Sequence, residues 1–492
     1  MKTPGLPPFF SELLRSLITG FRVPPLVVLL LIGLMAAHHL PGQTSLSPRL
    51  WASGELFSPV PNPKIPVEDQ AETDPTVLYP RAGLDVDLLG YSDFASFEAR
   101  LTAQVPILQY NPVNNKVTYQ GSTMPQLSLS RTLGTLFLGD FTAFWLEYGQ
   151  DSGFYSSGTQ PAVHNKYTDI TRQGMDALLS GNAETLFPRL RIGTDLYHGP
   201  LTVRLWVDPL RPPAFRPSID SPWYPADQFD RYREEFDAPN LLVVYQPEPE
   251  FHDQEYSYSD PRIHSDDLSF GLDLSTRYRD LEWFLRWYSG WNNRFQYRPA
   301  LDISNPNQPK VNLTQYLHRA DFIDTGFRLT HGALQVYWEG SMSPNALRVS
   351  EPVLDETLLR LETEVVQAAQ LTHAGGFLWN TPWPGFWITG ELGLFHYFGD
   401  PEQVDIPDFS RTLMIAADYT SPRGFIMRAG SLYDLTRYPE VQGAAALAQI
   451  GYTGPEGLEV LLSIPFIFAH DAHPLAYYSR FFTARLDIAL VL

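Results

Sequence analysis

The stretch LSFGLDLSTRYRDLEWFLRWYSGW, residues 268–291, admits few folds. Leu268, Phe270, Leu272 and Leu274 share one parity, with Asp273 and Arg277 on the other. Past the turn, Leu281, Trp283, Leu285 and Trp287 oppose Glu282, Arg286 and Tyr288. Side chains alternate across a β-strand, so the stretch reads as a hairpin with one apolar face and one face that tolerates charge.

The pattern recurs along the chain. Leu190, Ile192 and Leu196 lie opposite Arg189, Arg191 and Asp195, and after an HGP turn Leu201, Val203, Leu205 and Val207 oppose Thr202, Arg204, Trp206 and Asp208. Ile323, Phe327 and Leu329 oppose Asp324 and Arg328. Leu334, Val336 and Trp338 oppose Gln335, Tyr337 and Glu339, and Leu359, Leu361 and Val365 oppose Arg360, Glu362 and Glu364. Further runs lie at 84–91, 96–105, 126–138, 141–148, 386–398, 412–419, 424–433, 444–452 and 458–468. The expectation is an all-β chain of about 16 strands (range ~14–18), each near the ~10 residues that a tilted membrane strand requires.

Composition separates a water-facing sheet from a lipid-facing one. Charged residues make up 18% of the chain, against roughly 25% in a typical soluble protein, and aromatics reach 13%. Mean hydropathy is nevertheless −0.18, and after residue 40 no run approaches the ~20 apolar residues of a spanning helix. A soluble sandwich would also alternate. The long runs, the Trp, Phe and Tyr near their ends and the Arg, Asp and Glu on their opposite faces favour a transmembrane antiparallel β-barrel. The absence of cysteine excludes disulfides, thiolate metal sites and cysteine nucleophiles. A net charge of −20 argues against nucleic acid as a partner.

In lipid every backbone polar group must be paired, so a spanning sheet has to close on itself. The last residues, RFFTARLDIALVL, alternate Phe482, Ala484, Leu486, Ile488 and Leu490 against Thr483, Arg485 and Asp487. They resemble the C-terminal strand of Gram-negative outer-membrane proteins, which the barrel assembly machinery recognises. That family usually ends in Phe or Trp, whereas Leu492 stands here.

Residues 1–42 carry Lys2, Arg15 and Arg22, an apolar core from Leu26 to Leu34, and small residues at Ala36 and Ala37. They read as a secretory signal peptide; an anchor is the alternative, but Pro24, Pro25, His38 and His39 leave a short apolar run. Residues 43–81 read as a proline-rich exported segment, and 82–492 as the barrel.

Within the barrel, 209–267 is expected to be a long irregular loop. Pro212, Pro213, Pro217, Pro222 and Pro225 break any central strand, although APNLLVVYQ suits one more. The loop is acidic, and either enters the lumen as a constriction or covers the mouth. Beside an Arg-bearing wall, its carboxylates would orient polar solutes; the alternative is solvated charge that holds divalent ions beside lipopolysaccharide. LWVDPLRPPAFRPSIDSPWYP resembles a tryptophan- and proline-rich stretch of an uncharacterised proteobacterial outer-membrane family, which implies a porin-like protein without assigning a solute.

An enzymatic reading has little to rest on. His470, Asp471 and His473 in FAHDAHP form the best local cluster, and no phosphate-binding loop, zinc-protease or serine-hydrolase motif accompanies it. The segment ahead of the barrel is too short for the plug of an energy-coupled receptor. A blocked, structural barrel is a further alternative, because Trp206, Phe284, Tyr288 and Tyr337 fall on the inward parity.

The sequence therefore reads as a porin-like outer-membrane channel for small hydrophilic or amphiphilic solutes, without a cofactor. Arg189, Arg191, Arg204, Asp273, Arg277, Glu282, Arg286, Arg328, Arg360, Glu362, Arg428, Arg485 and Asp487 are its candidate pore-lining residues. Each also suits a salt-bridged ladder between strands. Expected partners are outer-membrane lipids, lipopolysaccharide, the assembly machinery and the solutes. Homotrimers are common among such porins, although no sequence feature requires one.

Overall fold

The computed structural model describes residues 43–59, 77–104, 107–111, 116–120, 126–149, 189–209, 241–246, 250–251, 268–291, 296–305, 309–350, 353–355, 360–362, 364–398, 410–437, 439–455, 457–470, 473 and 481–491. The expected signal peptide and most of the acidic loop lie outside them. Among the described residues no helix is long and apolar enough to cross a membrane.

The main sheet contains β1 (Gln43–Pro59), β2 (Val77–Tyr91), β3 (Ala95–Gln104), β4 (Gln126–Phe137), β5 (Thr142–Gly149) and β6 (Arg189–His198). It continues through β7 (Leu201–Asp208), β8 (Ser269–Tyr278), β9 (Leu281–Trp291), β10 (Arg319–His331), β11 (Leu334–Ser343) and β12 (Ala369–Asn380). It ends with β13 (Phe386–Phe398), β14 (Arg411–Thr420), β15 (Phe425–Asp434), β16 (Gly443–Thr453), β17 (Leu458–Ala469) and β18 (Phe481–Val491). Each strand pairs antiparallel with its sequence neighbours, and β1 pairs with both β2 and β18, Trp51 standing opposite Gly83 on one side and Ala489 on the other. The ring is closed. The sheet's 20 strands less the side hairpin Ile107–Asn111 and Lys116–Gln120 leave 18 in the ring, the upper end of the expected range. Antiparallel closure requires this even count.

Two expectations are corrected. Gln43–Pro59, read as part of an exported segment, is the first barrel strand. Pro48, Ala52 and Gly54 on its outward parity blur the alternation that would have revealed it. Arg360 and Glu362 are not on the barrel wall: Arg360–Glu362 pairs with Val353–Asp355 inside the long connection before β12.

The sheet is polar inside and apolar outside. Phe144, Ile192, Leu205, Trp287, Ile323, Leu392, Ile415, Ile450, Phe466 and Ile488 are exposed on the outer face, while Asp324, Glu339, Glu391, Gln449 and Ser463 are buried on the inner one. Water would favour the reverse; a hydrocarbon solvent favours this arrangement. Phe94, Phe141, Tyr278, Trp379, Trp383, Phe425 and Tyr452 are exposed beside the tight turns, as an interfacial girdle would be.

One rim carries the tight turns and the other the long connections. In the β8–β9 turn Arg279 takes φ 54°, and in the β10–β11 turn Gly332 takes φ 56°, the left-handed region that such turns require. The long connections hold small sheets of their own. Lys310–Leu317 pairs antiparallel with Gln296–Asp302 and parallel with Leu242–Tyr245, the extra strand suggested within APNLLVVYQ.

Candidate functional site: the inner wall

Register places oppositely charged side chains at one level on successive strands. Asp195, Arg204, Asp273, Arg286, Asp324 and Ser341 are direct cross-strand partners from β6 to β11. Arg204 donates from Nε and Nη2 to the two oxygens of Asp195, each at 2.8 Å. Arg286 grips Asp273 in the same forked way, at 2.7 and 3.2 Å, and Ser341 Oγ donates to Asp324 at 2.6 Å. Such bidentate pairs are among the stronger hydrogen bonds, and they join neighbouring strands.

A second level alternates aromatic rings with glycine: Trp145, Gly193, Trp206, Gly271, Tyr288 and Phe322 are cross-strand partners. The glycines make room for the rings. A Cβ on Gly271 would stand 2.0 Å from the Trp206 indole. Trp206 stacks on Tyr288 with centroids 5.7 Å apart. The two levels are tied together: Trp145 Nε1 donates to Asp195 at 2.7 Å, and the Arg204 guanidinium lies 4.7 Å from the Trp145 ring. Arg191 lies over Trp206 at 5.3 Å and donates to Glu147 at 2.8 Å.

Exposure is graded along the barrel axis. Beside the tight turns the ion pairs meet solvent: the side chains of Arg277 and Arg428 are 75% and 45% exposed. Arg277 and Arg328 share one carboxylate, Glu282, and Arg428 pairs with Asp418 at 3.0 Å. Across the seam, Arg49 pairs with Glu459 at 2.6 Å, both about two-fifths exposed. Deeper in the wall, Arg191, Asp195, Arg286 and Asp324 are buried, as are Glu339, Glu391, Gln449 and Ser463. The wall thus has an open, charged rim at the tight-turn end and a packed polar interior beyond it.

Of the candidate residues, Arg191, Arg204, Asp273, Arg277, Glu282, Arg286, Arg328, Arg428, Arg485 and Asp487 stand on the inward parity. Arg189 opens β6 on that parity too, its side chain lying outside the described residues. Arg485 pairs with Asp487 on its own strand at 2.9 Å. Sequence reasoning passed over Glu147, Asp418, Glu459 and Arg49 as candidates. A signal existed for Glu459, which alternates with Leu458 and Val460; Arg49 was hidden in the proline-broken segment.

In the FAHDAHP cluster Asp471 lies outside the described residues, and the His473 backbone N–H donates to the His470 carbonyl at 2.8 Å. His473 is buried against Asp434 at 3.1 Å, its ring seated on Gly443, and so fastens the connection after β17 to the ends of β15 and β16. Among the described residues no group of three or more His, Cys, Asp or Glu is placed to hold a metal ion.

No protein-family model matches the chain, and no curated protein matches it. Solved structures do. A BenF-like porin from Pseudomonas fluorescens Pf-5 matches with a TM-score of 0.47 at 9% identity, over 92% of this chain and 98% of that one. OccK8 (OprE) of Pseudomonas aeruginosa matches at 0.46 and 10%, over 92% and 98%. OccK2 (OpdF) of the same organism, in complex with glucuronate, matches at 0.43 and 9%, over 92% and 96%. The strand register, rather than these likenesses, establishes the closed barrel.

Proposed function

We propose that the chain is a porin-like channel of the Gram-negative outer membrane that passes small hydrophilic or amphiphilic solutes by diffusion. One observation carries the reading: the 18-strand ring is charged on its inner face and apolar on its outer face. Barrels of ~16–18 strands are wide enough to leave an aqueous channel. In such proteins the short turns face the periplasm and the long loops the outside, which puts the exposed Arg277–Glu282–Arg328 rim at the periplasmic mouth. Selection would act through lumen width and these exposed charges, without covalent chemistry or energy coupling. Outer-membrane lipids, lipopolysaccharide and the assembly machinery would be its partners, and a homotrimer is a compatible assembly.

The close packing of the inner wall beyond that rim favours a second reading, a non-conducting structural barrel. Single-channel current from the purified protein in a planar bilayer, under a salt gradient, separates the two. The channel reading expects stable conductance steps and a defined reversal potential. A correctly folded barrel that carries no current would overturn it in favour of the second.

A further inference from the structure

The outer face of the barrel carries an ionisable pair in an apolar setting. His373 on β12 and His396 on β13 lie on the outward parity: His373 stands opposite Leu394, and His396, two residues further on, stands opposite Leu371. Their flanking inward residues Thr372, Ala374 and Phe395 are buried, which confirms the parity. The two rings face each other diagonally across the strand pair, with centroids 5.9 Å apart and planes 35° from parallel. Around them are Leu371, Leu394, exposed Met342 and Leu392, and the Trp338 ring, which lies against Gly340, the cross-strand partner of His373.

This placement stands out on the outer face. Among the described outward residues, His373 alone is ionisable away from the rims; the others (Arg319, Asp321, His331, Arg411, His198 and His396 itself) lie within three residues of a strand end. His373 is the fifth residue of a twelve-residue strand. A polar side chain facing lipid is costly unless something satisfies it. Neither imidazole has a hydrogen-bond partner among the described residues.

We infer that His373 and His396 form a two-histidine site for a divalent transition-metal ion such as Zn²⁺ or Cu²⁺. Imidazole nitrogens bind such ions at about 2.0–2.1 Å, and two rings sharing one ion at a tetrahedral or wider angle stand about 5–6 Å apart between centroids, the separation found here. Both ligands project from adjacent paired strands, so little order is lost on binding. The remaining coordination positions point away from the barrel, toward water or phosphate oxygens at the membrane interface. His396 is third from the end of β13 at the long-connection rim, where such oxygens are available.

The test uses the full-length protein folded in detergent micelles, titrated with Cu²⁺ in a non-coordinating buffer. Trp338 beside the pair reports binding by fluorescence quenching, and electron paramagnetic resonance counts the nitrogen ligands. The expected result is one saturable site with two equatorial nitrogens, weakened at least tenfold in His373→Ala and in His396→Ala and unchanged in the rim control His198→Ala/His331→Ala. Affinity should be lost on acidification, because protons compete with the metal for the ligand nitrogens. Absence of a saturable site in the wild type, or equal affinity in either single variant, would overturn the assignment. If an alanine variant fails to fold, the wild-type resonance spectrum still decides: one nitrogen or none overturns the site.

Discussion

Arg286 and Arg428 are the same chemistry at two depths, and replacing each tests whether the inner wall is packed or merely lined. Arg286 is 9% exposed and holds Asp273, itself 14% exposed, through a forked pair. On its other side stands Asp324, which is 1% exposed. Arg286→Met removes the cation between two carboxylates that water reaches poorly. Breaking a buried pair from one side typically costs about 3–5 kcal/mol, because the remaining charge keeps its desolvation penalty. Arg428→Gln removes a cation whose carboxylate, Asp418, is itself 37% exposed, and exposed pairs contribute about 0–1 kcal/mol. The expected gap between the variants is therefore about 3 kcal/mol. Reversible denaturant unfolding in lipid vesicles, followed by tryptophan fluorescence, measures it. Asp273→Asn in the Arg286→Met background should restore part of the loss. Equal stability of the two single variants would refute the assignment of a packed interior, and the Arg286–Asp273 pair would then be one that water reaches as it does the rim pairs.

Other outcomes follow from the same wall. Gly271→Ala drives a methyl into the Trp206 indole and should destabilise by about 1–3 kcal/mol in the same unfolding assay, with Gly271→Ala/Trp206→Leu closer to wild type. Tyr337 donates its hydroxyl to the buried Glu391 carboxylate, so Tyr337→Phe should cost about 1–3 kcal/mol of stability without altering reversal potential. Arg277→Glu at the exposed rim should leave stability within about 0.5 kcal/mol but shift the reversal potential toward cation selectivity; an unchanged potential would remove the rim from the selection mechanism.

Much of this barrel can be read from alternation. The hairpin of β8 and β9 appears in the sequence nearly as it stands in the fold, because each outward Leu or Trp must meet lipid and each inward Asp or Arg must avoid it. The same local rule misplaced Arg360 and Glu362: three alternating residues look alike in a ring strand and in a short pairing within a loop, and only neighbours distinguish them. It also missed β1, where Pro48, Ala52 and Gly54 occupy outward positions with little side chain to show a pattern, although the backbone pairs on both edges.

The candidate wall was legible as a face and illegible as a set of pairs. Period two assigns Arg204, Asp273 and Arg286 to the inside from their own surroundings in the chain. That Asp273 stands between Arg204 and Arg286 depends on the register of β7, β8 and β9, the first two of which are separated by some sixty residues. Likewise nothing local distinguishes Arg277, left in solvent at the rim, from Arg286, enclosed a few positions along the paired strand. Which face a residue takes is a property of its own strand, whereas its partner and its depth arise only when the ring closes, since both depend on side chains brought in from distant strands.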